Sequence, residues 1–218
     1  MDFALARHNM VEGQIRTNRV TDQAVIDVLN NLPREAFVAD ALKTQAYIDE
    51  DIAVAPGRIL MEPMVLARLL QAARIENTDL GLVVAAATGY EAAVIARLAS
   101  AVVALESNAE LAAAAKDHLS EQGADTVSLL HGDLDKGHPG QGPYDVIFIN
   151  GAVGELPGTL VAQMAEGGRL VYVKSSTTVG GGKAMLVTME NGVVSESEIF
   201  EANIPPLPEF AAQPKFNF

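Results

Sequence analysis

The sequence predicts an α/β fold in which helices cover both faces of a mostly parallel sheet. From Leu80 onward, strand-like and helix-like segments alternate along the chain, as they do in repeated βα units. The strand-like segments are continuous apolar runs, which is typical of parallel strands that are buried on both faces. The last two flank Asn191-Gly192, a dipeptide favoured in tight hairpins, so we expect the sheet to close with an antiparallel pair.

Composition predicts a folded globular protein. The 218 residues are 49% hydrophobic, which is enough to bury a sizeable core. The formal net charge of -13 repels phosphate backbones and anionic lipids, so neither nucleic acid nor membrane is expected as a partner. The chain has no cysteine, its N-terminus lacks an apolar signal region, and its apolar runs are too short to span a bilayer. We therefore expect a cytoplasmic protein.

The first fifty residues are expected to form a helical cap. A helix is predicted there because apolar residues recur at helical spacing, at Val25, Val28, Leu29 and Leu32. Pro33 should end that helix. An extended segment follows, and a helix begins at Pro63, because proline is favoured in a first turn. One domain is expected, divided as a cap at 1–50, an extended segment at 51–62, an α/β core at 63–205 and a tail at 206–218.

Periodicity then places the elements of the core. Strands are predicted at 82–86, 101–106, 126–132, 144–150, 167–174, 184–191 and 193–201. Helices are predicted at 63–75, 90–99, 108–122 and near 157–165. In the tail, packing on the domain is expected for Phe210, Phe216 and Phe218, with partner docking as the alternative.

Polar residues end several strands of the predicted sheet. Ligands bind such sheets beyond the carboxyl ends of the strands, near the point where strand order reverses. Glu106 ends the second core strand and follows the first loop by roughly 20 residues, the spacing of an acid that binds a ribose diol. Asp133 follows the third strand, where it could meet an adenine amino group, and Asn150 ends the fourth. Together they predict a nucleoside site; taken singly, each acid could be a solvated strand end or a helix cap.

The loop after the first core strand is poor in glycine. It reads Ala85-Ala86-Ala87-Thr88-Gly89, where dinucleotide-binding proteins usually place several glycines. If a glycine position needs positive φ, alanine costs about 1 to 2 kcal/mol there, whereas a methyl group facing a ligand lowers affinity directly. A nicotinamide-dependent dehydrogenase would share Glu106 but would need the missing pyrophosphate glycines, so it is the weakest alternative. The four histidines show no metal-ligand spacing, and no metal site is expected.

Seven segments carry a resemblance to a known family. They read "MVEGQIRTNRVTDQAVIDVLNNLPREAFV", "AYIDEDIAV", "LMEPMVLARLLQ", "TGYEAAVIARLA", "VVALE", "GPYDVIFINGA" and "LPGTLVAQMAEGGRLV". In order and spacing they are similar to the protein-L-isoaspartate O-methyltransferase family. The resemblance implies a seven-stranded Rossmann-like methyltransferase sheet with an N-terminal helical cap. It also implies S-adenosylmethionine as cofactor and, as substrate, isoaspartyl carboxylates in damaged proteins.

The resemblance also assigns candidate site residues, although no catalytic side chain follows from it. The cofactor-binding positions would be Ala85, Ala87, Thr88, Gly89, Tyr90, Glu106, Ser107, Asp133, Leu134 and Asn150. The substrate-binding positions would be Tyr47, Asp49, Leu60, Met61 and Pro63.

Most departures from the family pattern fall in the loops that carry the chemistry. Val83, Ala85 and Ala87 replace an acidic residue and two glycines of the cofactor loop, and Met61 replaces the substrate-positioning serine. Met61 has no hydroxyl and is alternatively a plain apolar lid residue. We expect a methyltransferase of this family, weak or with altered substrate; the alternative is a non-catalytic descendant that serves as a binding or interaction module. Loss of Glu106 should abolish cofactor binding and hardly change stability.

Overall fold

The structure is a computed structural model and describes residues 1–176 and 181–210. Its N-terminal cap contains helix α1 (Phe3–Met10), a π-helical turn (Val11–Ile15) and helix α2 (Gln23–Asn31). The side chain of Asp22 caps α2 by accepting two backbone N–H bonds, and the helix ends before Pro33, as expected.

A seven-stranded sheet forms the centre of the molecule. In chain order the strands are β1 (Ile52–Ala55), β2 (Arg58–Leu60), β3 (Leu80–Val84), β4 (Ala101–Glu106), β5 (Val127–His131), β6 (Tyr144–Val153), β7 (Met164–Lys174), β8 (Lys183–Glu190) and β9 (Val193–Glu201). The large sheet has the order β5-β4-β3-β6-β7-β8-β9, and β1 and β2 pair separately as an antiparallel hairpin. Strands β3 to β7 are parallel, so strand order reverses between β3 and β6.

The four remaining helices are all shorter than their sequence pattern predicts. They are α3 (Pro63–Ala73), α4 (Tyr90–Ile95), α5 (Ala109–Glu121) and α6 (Gly158–Val161). The prediction that a helix reaches 165 is wrong, because β7 begins at Met164, which pairs with Tyr144 of β6. The closing hairpin is confirmed: Asn191 and Gly192 join β8 to β9 with φ values of 52° and 71°.

The two faces of the sheet bury separate apolar clusters. Alternate residues of β6 point to opposite faces, with Val146 and Phe148 in one cluster and Ile147 and Ile149 in the other. The cap and helices α3 to α5 contribute to the first cluster, and α6 with the turn at 134–136 contributes to the second. Helices on both faces are thus confirmed.

The tail packs on the second cluster through Leu207 and Phe210, as expected for Phe210. Phe216 and Phe218 lie outside the described residues. Within the described parts of the chain, no helix combines the length and the apolar character that a membrane crossing requires.

Candidate functional site

The β1–β2 hairpin lies over the carboxyl ends of the parallel strands. Asn150 of β6 donates a hydrogen bond from Nδ2 to the carbonyl of Ile59 at 3.4 Å. Arg58, also in β2, reaches the carboxylate of Glu106 at the end of β4, with 3.0 Å between Nε and Oε1. The segment predicted to carry the substrate loop therefore meets the edge predicted to carry the nucleoside site.

The glycine-poor loop keeps a backbone path that suits glycine. Ala85 and Ala87 have φ values of 63° and 49°, in the left-handed region that L-residues rarely adopt, and Gly89 has a φ of 95°. These two positions therefore require positive φ, and each alanine costs about 1 to 2 kcal/mol of backbone strain there. Gly89 then caps α4, where a Cβ would lie 3.2 Å from Leu119 Cγ.

Glu106 is wholly buried, with 0% of its side chain exposed. Its Oε2 accepts the N–H of Ala87 at 2.8 Å, and its Oε1 accepts the N–H of Asn108 at 2.9 Å. The carboxylate therefore holds the loop after β3 against the turn after β4. Its other hydrogen bonds come from Arg58, whose Nε lies 3.0 and 3.1 Å from the two oxygens.

Arg58 is itself buried between two carboxylates, with 4% of its side chain exposed. Beyond Glu106 it donates to Glu209, from Nη2 to Oε1 at 2.6 Å and from Nη1 to Oε2 at 3.2 Å. Ser107, a predicted cofactor residue, joins this group: its Oγ accepts from Arg58 Nη2 at 2.7 Å and donates to Glu209 at 2.6 Å. The structure thus places an ion-paired cluster where the sequence predicts a ribose.

Three further predicted residues bury polar atoms at the same edge. Within the described residues, Thr88 Oγ1, Tyr90 Oη and Asn150 Oδ1 are buried without a hydrogen-bond partner. Such atoms usually have partners, and a bound ligand is one source of them. The Tyr90 ring packs against the ring of Phe37, with 5.3 Å between the two ring centroids.

The predicted cofactor residues that follow β5 differ in their exposure. Asp133 follows β5 on the surface and pairs with Lys136, which lowers the pKa of Asp133 through a hydrogen bond and its charge. Leu134 is buried in the second cluster with Ala85. His131, in register with Glu106, contacts the carbonyl of Ser107 through Nε2 at 2.9 Å.

On the substrate side, Leu60, Met61 and Pro63 are buried and line no open surface. Met61 belongs to the first apolar cluster. Its carbonyl accepts a hydrogen bond from the buried guanidinium of Arg34, which also donates from Nε to the carbonyl of Ala46 at 2.7 Å. Arg34 thereby fixes the loop to the cap.

Tyr47 and Asp49 stand at the edge of the cap. The Tyr47 hydroxyl donates to Glu35 and accepts from Arg7 Nη1 at 3.2 Å. Burial is the main cause that raises the pKa of Tyr47, so its hydroxyl stays protonated. Asp49 is exposed.

Three carboxyl groups near Met61 have raised pKa values. Burial raises the pKa of Asp51 to about 6 and the pKa values of Glu62 and Glu91 to about 7. The negative charge of Asp51 adds to this effect in both glutamates. Two of these carboxyl groups accept hydrogen bonds from backbone N–H groups of the loop: Glu62 N–H donates to Asp51 Oδ1 at 2.8 Å, and Met61 N–H donates to Glu91 Oε1 at 3.4 Å. At neutral pH this group carries less charge than its composition implies.

Six residues of this site were not predicted from the sequence: Arg34, Asp51, Arg58, Glu62, Glu91 and Glu209. Glu91 offered a signal, since it is the single acid in the apolar helix "YEAAVIA". Arg58 lies in the segment already singled out, but its type alone does not reveal its partner. The Arg58–Glu209 pair joins residues 151 positions apart, and no local pattern encodes it.

Comparisons with known proteins agree with the resemblance. The family model described as Protein-L-isoaspartate(D-aspartate) O-methyltransferase (PCMT) matches residues 6–191. A Protein-L-isoaspartate O-methyltransferase of Koribacter versatilis is 39% identical over 205 residues, which cover 94% of this chain and 91% of that protein. One of the same name from Methylorubrum extorquens is 40% identical over 170 residues, covering 78% and 74%.

Two solved structures share the fold. A protein-L-isoaspartate O-methyltransferase superposes with a TM-score of 0.81 at 23% identity, over 92% of this chain and 65% of that one. A putative protein-L-isoaspartate O-methyltransferase from Plasmodium falciparum, in complex with S-adenosyl-L-homocysteine, gives 0.81 at 18% identity, over 93% and 98%. At these identities the likeness confirms the expected methyltransferase fold. Because the family model matches most of its length and relatives at 39% and 40% identity cover it widely, the chain belongs to the protein-L-isoaspartate O-methyltransferase family.

Proposed function

We propose that this chain is an S-adenosylmethionine-dependent methyltransferase that esterifies isoaspartyl carboxylates in damaged proteins. The observation that carries the proposal is the contact between Glu106 and the loop after β3. Glu106 lies at the carboxyl end of β4, beside the reversal of strand order, and binds the N–H of Ala87. This is the place and the chemistry at which such sheets bind a ribose.

The residues at this edge fit a nucleoside cofactor. The loop has the backbone course of a glycine loop, and Thr88 and Asn150 bury polar atoms that lack partners among the described residues. Glu106 would accept the ribose hydroxyls, while Asp133 at the surface would meet the adenine amino group. Glu106 can do so only when Arg58 releases it, since both of its oxygens are engaged.

The chain's own contribution to the reaction is positioning. The cofactor, when bound, supplies a methyl group that its sulfonium already activates for transfer. An isoaspartyl carboxylate is ionised at neutral pH and needs no general base, so orientation lowers the barrier most. We assign that role to the edge of the cap at Tyr47 and Asp49, while Leu60, Met61 and Pro63, which are buried, would hold the adjoining loop in place without touching the substrate.

The substrate side suits an anionic group better than its composition implies. Asp51 and Glu62 would repel a substrate carboxylate if both were ionised. Their pKa values of about 6 and about 7 leave part of that charge neutralised near pH 7. Arg34, beneath Met61, adds a fixed positive charge to the same region.

The setting of this activity is proposed on composition and size. The absence of cysteine and the net charge of -13 favour a cytoplasmic protein that binds neither nucleic acid nor membrane. We also propose that the cap, the hairpin, the α/β core and the tail act as one domain. Damaged, isoaspartyl-containing proteins or peptides are its proposed partners.

Methyl transfer to a defined peptide tests the function. The parent protein should move labelled methyl from S-adenosylmethionine to a peptide with one isoaspartyl residue, and should leave the matched aspartyl peptide unlabelled. Binding of S-adenosylhomocysteine without transfer to the isoaspartyl peptide would contradict the enzyme and favour the binding module.

Ala87→Gly should tighten S-adenosylhomocysteine binding about tenfold, because it removes a methyl group beside the acceptor Glu106. Ala85→Gly should gain less, since the Ala85 side chain packs in the second apolar cluster. Ala86→Gly is the matched control: Ala86 lacks positive φ and packs in the first cluster, so its variant should not bind more tightly. Calorimetric titration of the parent and the three variants with S-adenosylhomocysteine measures these affinities. Equal affinity for the parent and the Ala87 variant would mean that the Ala87 methyl group does not face the ligand.

A further inference from the structure

Arg58 uses the hydrogen-bonding capacity that Glu106 would offer to a ribose. An ionised carboxylate has about four acceptor positions. The N–H groups of Ala87 and Asn108 take two of them, at 2.8 and 2.9 Å. Arg58 Nε shares the remaining two at 3.0 and 3.1 Å. A ribose diol donates two hydrogen bonds, so Arg58 and the diol compete for the same places.

Glu209 holds Arg58 in this position. Its two oxygens face the two terminal nitrogens of the guanidinium at 2.6 and 3.2 Å, the fork geometry of a strong arginine–carboxylate pair. Burial alone would lower the pKa of Arg58, but Glu209 and Glu106 together raise it. Burial would raise the pKa of Glu209, and the bonds from Arg58 and Ser107 lower it instead. Both partners are therefore charged at neutral pH.

The ion pair between Arg58 and Glu209, here called the clasp, is flanked in the tail by residues that are held by contacts of their own. Leu207 N–H donates to the carbonyl of Ala152 at 2.9 Å, and the Leu207 side chain fills the space beside Gly151. The next residue, Pro208, packs directly against Gly57, where a Cβ would lie 2.6 Å from Pro208 Cγ. The clasp can thus open at Glu209 and Phe210 while Leu207 and Pro208 stay in place.

An open depression of about 310 Å³ marks this contact between the hairpin turn and the tail. Its lining joins the turn, the end of β4 and the clasp: Pro56, Arg58, Ser107, Asn108, Pro208 and Glu209. The Arg58 side chain therefore has space to move into when its ion pair with Glu209 breaks.

We propose that Arg58 is an intramolecular plug of the nucleoside site, latched by Glu209, and that cofactor binding requires the plug to leave Glu106. The proposal rests on the proposed function, since it takes the cofactor to bind at Glu106. Apparent affinity is reduced by the fraction of molecules in which the plug is closed. The strength of the clasp therefore sets the cofactor concentration at which half of the protein is bound.

Calorimetry with S-adenosylhomocysteine on four proteins tests the plug. Arg58→Gln should bind at least tenfold more tightly than the parent, because Glu106 regains two acceptor positions. Glu209→Gln, which leaves the Arg58–Glu106 pair in place, should gain several-fold and serves if the first variant folds poorly. Arg16→Gln makes the same change of charge at an exposed arginine paired with Glu12, and should match the parent.

Hydrogen exchange supplies a readout that does not need activity. In the parent, S-adenosylhomocysteine should speed exchange of the Phe210 amide, which donates to the Leu207 carbonyl at 3.1 Å within the clasp. The Leu207 amide, bonded to Ala152, should be unchanged. Binding to the parent with no gain in either variant, or with slower Phe210 exchange, overturns the plug and leaves the proposed function standing. Absence of binding in the parent and in both variants overturns both.

Discussion

Glu106→Ala is expected to lower the free energy of unfolding by about 3 kcal/mol, in addition to abolishing cofactor binding. The substitution leaves the guanidinium of Arg58 buried with one of its two carboxylate partners, and removal of one member of a buried pair costs on the order of 3 to 5 kcal/mol. It also leaves the N–H groups of Ala87 and Asn108 without their acceptor. The expectation from sequence, that stability would hardly change, omitted Arg58.

Urea unfolding of three variants separates these contributions. Combining Arg58→Met with Glu106→Ala removes both charges and should recover most of the loss, because a buried pair is often replaceable by apolar residues. Glu209→Gln acts on a partly exposed partner and should cost less than about 1 kcal/mol. If Glu106→Ala alone unfolds at the same urea concentration as the parent, then Arg58 is not buried against Glu106 in solution.

Glu91→Gln should stabilise the protein by about 3 kcal/mol at pH 8 and leave it unchanged near pH 4. Burial raises the pKa of Glu91 from 4.5 to about 7. A raised pKa gives stability that is complete below pH 4.5 and is lost as pH rises through about 7, and the shift corresponds to about 3 kcal/mol. The variant keeps an oxygen that can accept the N–H of Met61 and never ionises.

The measurement is the difference in unfolding free energy between this variant and the parent across pH 4 to 8. Glu62→Gln is a matched control: its pKa of about 7 is similar, but its side chain is only partly buried, so the gain at pH 8 should be smaller. A difference that does not grow with pH would contradict a protonated Glu91 in the folded protein at neutral pH.

Most of the fold follows from local patterns. Continuous apolar runs place β3 to β7, and Asn191-Gly192 places the closing hairpin, because these signals are confined to a few neighbouring residues. The end of the predicted helix near 165 failed for the opposite reason. Pairing of Met164 with Tyr144 extends β7 across residues whose local pattern suits a helix, and distant pairing outweighs local preference there.

The site divides in the same way. Glu106, Thr88 and Asn150 occupy strand ends and loops, whose place in a parallel sheet the sequence predicts. Arg58 and Glu209 meet only after the hairpin and the tail have folded over that edge. The sequence raised a positive φ at Ala85 and Ala87 only as a condition, because alanine itself gives no sign of a left-handed backbone.

A crystal structure of the parent protein with saturating S-adenosylhomocysteine should show both ribose hydroxyls within hydrogen-bonding distance of the Glu106 carboxylate. The Arg58 guanidinium should be displaced from that carboxylate, and its contact with Glu209 should be broken. A ligand bound elsewhere, or a ribose distant from Glu106 while Arg58 remains between Glu106 and Glu209, would contradict this expectation.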